Sequence, residues 1–137
     1  MTRVLVDTNI VLDALTGRKP FCKNAEKIFL LAAEEKIQGC ITASSITDIY
    51  YLVRKNLSEQ KARQALHNLF QLVTVIDVRG KDCEQALELP IEDYEDALIA
   101  TCVARAKMDY LVTRDEVFLK ASSSVRVVSP AQLLEIF

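Results

Sequence analysis

Glycine and proline are scarce, with three of each in 137 residues, and there is one histidine, His67. A zinc site built on imidazoles is therefore excluded, and His67, in a polar register of its helix, is expected at the surface. Four cysteines (Cys22, Cys40, Cys83 and Cys102) form no C-x-x-C pair and sit within apolar patterns, where a free thiol behaves as a small hydrophobe. Neither a zinc ribbon nor a disulfide framework is expected, and reduced thiols in a cytoplasm are. No apolar run approaches the ~20 residues of a membrane span, the longest clean one being Ile28 to Ala33. Val4-Leu5-Val6 is cut short by Asp7, which leaves no signal-peptide core. Charge is nearly balanced, 17 Lys+Arg against 19 Asp+Glu. A strong long-range pull on nucleic acid is not expected, which leaves room only for a local basic patch.

What is present is apolar and patterned. Half of the chain is hydrophobic and 26% is charged, enough to fold rather than stay disordered, and the length suits a single domain over residues 1–137. Short Val/Ile-rich runs alternate with longer helical patterns, the signature of βαβ units around a parallel sheet. Strands are expected at Arg3–Val6, Ile37–Ile41, Val73–Val78, Tyr110–Thr113 and Val125–Val128. Helices are expected near Ile10–Leu15, Phe21–Lys36, Ser45–Asn56, Glu59–Leu72, Lys81–Leu87, Asp93–Ala106, Asp115–Lys120 and Pro130–Ile136. Ser58 before Glu59 and Ser129 before Pro130 read as helix N-caps. Gly39 and Gly80 are expected at turns, Ser122-Ser123-Ser124 in a solvated loop. Leu66, Leu69, Phe70 and Val73 have the spacing of a buried face. The expected fold is a three-layer α/β/α sandwich with about five parallel strands.

In a right-handed βαβ unit, strand C-termini and helix N-termini share one edge, where open α/β sheets bind ligands. Asp7, Asp48, Asp96 and Asp115 all fall at that edge. Four carboxylates converging there repel one another, which raises proton affinities or recruits a hard cation; oxygen ligands alone favour Mg²⁺ or Mn²⁺. Each has a plainer reading. Asp7 and Asn9 suit a helix cap, and Asp48 and Asp115 suit favourable charges near helix N-termini, each worth ~0.3–1 kcal/mol. Asp96 resists this reading, because the stretch Ala97 to Ala104 is apolar on nearly every side and a carboxylate beside it needs a partner. Asp93 and Glu95 read first as N-terminal helix charges and second as auxiliary ligands, and Asp13 as solvent-facing. No G-x-x-x-x-G-K-[ST] or G-x-G-x-x-G loop is present. No serine or cysteine has an evident base. A receiver-type or D-x-D phosphatase site would need a further acid after the first strand, where Thr8 stands.

Four segments together resemble the PIN-domain family of metal-dependent nucleases across essentially the whole chain. They are V-L-V-D-T-N-I with Asp7, I-T-A-S-S-I-T-D-I-Y-Y-L with Asp48, D-Y-E-D-A-L-I-A-T-C-V-A-R-A with Asp96, and D-Y-L-V-T-R-D-E-V-F with Thr113 and Asp115. Two positions depart from the pattern: the second slot is usually Glu, and the residue after T-R is often Asn. The resemblance implies hydrolysis of phosphodiester bonds in RNA. It implies Mg²⁺ or Mn²⁺ held by Asp7, Asp96 and Asp115, with Asp48 direct or through water, and Thr8, Asn9 and Thr113 in support. Arg18, Lys19, Arg54, Lys55 and Arg114 are the candidate contacts to the RNA backbone. Small single-domain members of the VapC type are toxins of toxin–antitoxin pairs, which implies an antitoxin partner and a homodimer. The alternative is a PIN-fold module that binds RNA or protein without turnover, for which the shorter Asp48 is the reason.

Overall fold

The computed structural model describes residues 1–120 and 125–137. The chain runs β1 (Arg3–Val6), α1 (Thr8–Thr16), α2 (Cys22–Ala33), β2 (Gln38–Thr42), a 3₁₀ turn (Ala43–Ser45), α3 (Ile46–Asn56), α4 (Glu59–Leu72), β3 (Thr74–Ile76) and α5 (Gly80–Ala86). It continues through α6 (Tyr94–Arg105), β4 (Tyr110–Val112), α7 (Glu116–Lys120), β5 (Arg126–Val128) and α8 (Pro130–Ile136). All strand pairs are parallel, in the order β3-β2-β1-β4-β5. From β1 the chain winds outward to β3, then crosses back through α5 and α6 to place β4 on the other side of β1. Strand order therefore reverses between β1 and β4, the point at which open α/β sheets form a ligand crevice.

Alternation along the strands divides the core into two layers. Val4 and Val6 of β1 face a cluster with Ile10 and Val11 of α1, Ile28 of α2, Ile49 and Val53 of α3, Leu66 of α4 and Leu133 of α8. Leu5, between them, faces Ile99 and Val103 of α6 and Phe118 of α7. The result is the expected three-layer sandwich. Helix α6 is buried from Ala97 through Val103 because the sheet covers one side and α5 the other, Ala86 packing on Ala97, Leu98 and Cys102. That enclosure explains why its sequence lacks a polar stripe.

Local signals hold at most boundaries. The Ser58 side chain accepts from Lys61 N–H, and Ser129 forms a capping box with Gln132 ahead of Pro130. Helix α1 begins two residues earlier than expected because Asp7 caps it, and α2 ends three residues sooner. Three expectations are corrected. Gly39 lies inside β2 rather than at a turn, where an added Cβ would stand 3.3 Å from Val73 Cγ1 and 3.4 Å from Ala32 Cβ. Gly80 opens α5. Phe70 is 45% exposed, so the buried face of α4 is Ala62, Leu66 and Leu69, with Val73 following. Ser122–Ser124 lie outside the described residues. No helix among the described residues is long and apolar enough to cross a membrane.

Candidate functional site at the carboxyl edge of the sheet

Register decides which side chains meet at the edge. Val6 pairs with Val112, so Asp7 and Thr113 leave the sheet side by side. The Asp7 N–H still donates to Val112 O at 3.0 Å, and the Thr113 hydroxyl donates to Asp7 Oδ2 at 2.6 Å. Asp7 Oδ1 accepts the Thr8 N–H at 2.8 Å, capping α1. Asn9 Nδ2 stands 3.3 Å from both Asp7 Oδ2 and Thr113 Oγ1. Thr113 is buried, and Asp7 is 4% exposed. Burial is the main force raising the Asp7 carboxyl pKa; the bonds from Thr113 and Thr8 pull it down, and the charges of Asp115 and Asp93 push it up.

Asp96 enters from α6. Its N–H donates to Asp93 Oδ1 at 3.1 Å, so Asp93 is the N-cap and Asp96 stands in the first turn. Its carboxyl is pushed up to about 7, first by burial and then by Asp7, Asp93, Asp115 and Glu95. From β4, Asp115 caps α7 through Oδ1, which accepts from Val117 N–H at 2.9 Å and Phe118 N–H at 3.3 Å, while its own N–H donates to Thr113 Oγ1 at 3.1 Å. Asp48 projects from the first turn of α3 and is exposed. It meets Glu95, whose Oε1 accepts the Thr8 hydroxyl at 3.1 Å. Burial raises the Glu95 carboxyl pKa, Thr8 opposes this, and the charges of Asp48 and Asp7 add to it.

The fold thus brings Asp7, Asp96 and Asp115 close enough to act on one another, and Glu95, which acts on Asp96 and feels Asp7, joins Asp48 to them, with Thr8, Asn9 and Thr113 holding Asp7 and Glu95. The charges bearing most on Asp7, Glu95 and Asp96 are all carboxylates. Glu95 belongs to this group more fully than the sequence indicated, since only the tertiary contact with Thr8 distinguishes it from an ordinary first-turn acid.

The basic residues are not gathered there. Arg114 points away: its Nε and Nη2 donate to Asp13 Oδ2 and Oδ1 at 2.7 and 2.9 Å. Asp13 is therefore not solvent-facing but fully buried. Its correction has a simple cause, because a helix-facing carboxylate can be buried once a bidentate guanidinium satisfies it. Arg18 lies 3.9 Å from the same carboxylate, and Lys19 is exposed ahead of Pro20. Arg54 and Lys55 occupy the last turn of α3, about 9 Å of helix rise from Asp48. A cleft of about 410 Å³ opens beside Asp96, with Pro90, Ile91, Asp93 and Val117 in its walls, and the cation that borders it is Lys120.

As the side chains stand, no three potential metal ligands among the described residues close around a single ion. In donor type and charge, however, the residues fit a hard divalent cation: carboxylate and hydroxyl oxygens, mutually repelling, with one carboxyl driven to about 7 by burial and then by the neighbouring carboxylates.

Comparison with known proteins agrees with this architecture. No curated protein sequence matches the chain. Among solved structures, VapBC2 from Rickettsia felis, bound to a DNA fragment from its promoter, is similar at a TM-score of 0.71 and 20% identity, covering 93% of this chain and 98% of that one. DNA-bound VapBC from Salmonella typhimurium gives 0.72 at 16% identity, covering 95% and 99%. Mycobacterium tuberculosis VapC20, a sarcin–ricin loop cleaving toxin, gives 0.71 at 16%, covering 88% and 95%. At such identities these likenesses establish the fold. The PIN-domain family profile matches residues 3–116, and the chain belongs to the PIN domain family.

Proposed function

We propose that this protein is a divalent-metal-dependent endoribonuclease, the toxin component of a VapC-type toxin–antitoxin pair. The observation that carries the reading is the convergence of Asp7, Asp96, Asp115 and Glu95 at the β1/β4 switch point, with Asp7 held by Thr113 and Thr8 and the neighbouring carboxylates helping to raise the Asp96 carboxyl. Uncompensated negative charge at a ligand edge suits a site completed by a cation and then by a polyanion. The similarity of the fold to VapC20, which cleaves the sarcin–ricin loop, supports RNA as the substrate class.

Asp7, Asp96 and Asp115 are the residues that would hold Mg²⁺ or Mn²⁺, with Asp48 or Glu95 completing the set. When bound, such an ion supplies charge neutralisation at the scissile phosphate and lowers the pKa of the attacking water. The chain's own contribution is orientation. Thr113 and Asn9 fix one oxygen of Asp7, and the Thr8 N–H fixes the other. Thr8 also holds Glu95 against the same edge. The cleft beside Asp96, bordered by Lys120, is the path this reading assigns to the RNA strand.

An antitoxin and a second copy of the chain are the proposed protein partners, in a cytoplasmic setting. An apolar cleft of about 270 Å³, lined by Ala14, Leu15, Phe29, Leu69 and Leu72 among others, offers surface for one of them.

The test is incubation of purified protein with structured and unstructured RNAs under Mg²⁺, Mn²⁺ or EDTA, beside Asp7→Ala. Metal-dependent cleavage by the wild type that Asp7→Ala loses is the expected result. RNA binding with no cleavage under any metal would instead favour a PIN-fold binding module.

A further inference from the structure

Asn9 and Asp13 are four residues apart on α1 and share a face, and both grip the segment that follows β4. Asn9 Oδ1 accepts the Arg114 N–H at 3.4 Å, and Asp13 takes the Arg114 guanidinium in a fork of 2.7 and 2.9 Å. The Phe21 ring covers that guanidinium at 3.9 Å from its centroid. Only 1% of the Asp13 side chain is exposed, against 25% for Arg114. Arg114 stands between two residues of the acidic site: Thr113, whose hydroxyl is donated to Asp7, and Asp115, whose carboxylate caps α7 and bears on Asp96.

We propose that Asp13 and Arg114 are a positioning pair for the acidic centre, clamping Thr113-Arg114-Asp115 to α1 so that Thr113 and Asp115 face Asp7 and Asp96. This rests on the ribonuclease reading for its catalytic consequence. The alternative role of Arg114, a contact to substrate phosphate, conflicts with the geometry. Reaching outward would strip a buried carboxylate of both its guanidinium bonds and leave Phe21 uncovered. Stability alone is also a poor account, because a buried ion pair replaced by well-packed apolar residues is often neutral or better. Its value lies in fixing direction, as a planar fork against a carboxylate does. The pair joins two elements 101 residues apart in sequence, at the seam where the strand order reverses.

The test is the double substitution Asp13→Leu with Arg114→Leu, which removes both charges together and leaves no buried orphan, since Arg18, 3.9 Å from Asp13, is half exposed and stays solvated. Three readouts are taken: amide hydrogen exchange, Mn²⁺ affinity, and kcat and KM on a cleaved RNA. Exchange at Asp115, Val117 and Phe118, whose N–H groups bond to Thr113 Oγ1 and Asp115 Oδ1, is expected to accelerate at least tenfold, while Thr113 N–H, paired with Val128 O, keeps its protection. Mn²⁺ affinity and kcat are expected to fall about 10–100-fold, the usual effect of removing a supporting shell, with KM held. Unchanged exchange at those three amides, or unchanged kcat and Mn²⁺ affinity, overturns the proposal. A raised KM with kcat intact overturns it in favour of a substrate contact. Accelerated exchange in a protein whose wild type neither binds Mn²⁺ nor cleaves RNA overturns the ribonuclease reading and the catalytic role with it. Should the double variant fail to fold, Arg114→Lys keeps the charge, loses the fork, and is read by the same three measurements.

Discussion

The Thr113 hydroxyl donates to Asp7 Oδ2 at 2.6 Å across the seam between β1 and β4. The bond is charge-assisted and buried, and it opposes the burial that otherwise raises the Asp7 carboxyl. Thr113→Val keeps the shape and removes the donor. The Asp7 carboxyl then rises further, so the acidic limb of the kcat–pH profile moves to higher pH. Stability near neutrality falls by about 1–3 kcal/mol, the cost of a lost hydrogen bond to a charged group. An unmoved acidic limb would leave Thr113 only its acceptor bonds to Asn9 and the Asp115 N–H.

Asp96 makes the folded, metal-free protein pH-sensitive. Its carboxyl titrates at about 7 when folded and near the ordinary 3.8 when unfolded. The folded state therefore binds more protons between those values, and the stabilising effect of its proton is complete below 3.8 and lost as pH rises through about 7. The full displacement corresponds to about 4 kcal/mol; Asp96 is only partly buried, and screening by water brings this to about 1–2 kcal/mol. Asp96→Asn should raise the Tm of the metal-free protein at pH 8, leave it nearly unchanged at pH 4, and abolish cleavage. Equal effects at both pH values would show that Asp96 feels no acidic cluster, and cleavage retained by the variant would remove it from the catalytic set.

Much of this was legible in the sequence, for identifiable reasons. The central strands β1, β2 and β4 are mostly buried, so as short apolar runs they stand out without any alternation to decode. Ser58 and Ser129 carry their capping chemistry locally. Asp7, Asp48, Asp96 and Asp115 follow strands or open helices, and a parallel sheet puts all such positions at one edge. What was not legible depends on contacts between distant residues. Asp13 looked exposed because the guanidinium that buries it, in a bidentate fork, belongs to Arg114, 101 residues away, while nearby Arg18 stands only at 3.9 Å. Arg114 looked free for the same reason. Glu95 gained its place only through Thr8, and Gly39 its role only through Val73 and Ala32.

At the opposite end of α6, Arg105 Nε donates to both oxygens of Asp82, at 3.0 and 3.1 Å, and Nη2 donates to Asp77 O at 2.6 Å. Burial pushes the Asp82 carboxyl up, but Arg105, with the Arg79 N–H, outweighs it and holds the group below its ordinary value. The stabilisation is thus present above the ordinary carboxylate range and is lost as pH falls through the lowered folded value. Arg105→Met strands a buried carboxylate and should cost about 3–5 kcal/mol at pH 7, the deficit narrowing on acidification. Arg105 is about 13 Å of helix rise from Asp96, so cleavage per folded molecule should not change. A deficit constant across pH would mean that lost packing, not the charge, destabilises the variant.

Asp48 and Glu95 meet at the carboxyl edge, and the charge of Asp48 helps raise the Glu95 carboxyl. Asp48→Glu adds the methylene that the second acidic position of the family usually has. Without a divalent ion the longer side chain presses closer to Glu95, so the Tm at pH 8 should fall. With Mg²⁺ present the added reach should strengthen ion binding and cleavage by roughly tenfold, the lower end of what a metal-supporting group is worth. Crowding by Glu95 is the opposing effect. If it dominates, Asp48→Glu loses Mg²⁺ affinity, and Glu95→Gln in the same chain restores it by removing the repelling charge. Titration calorimetry on the two single variants and the double separates these outcomes. Mg²⁺ affinity indifferent to all three would place both carboxylates outside the ion's reach and leave Asp7, Asp96 and Asp115 to hold it alone.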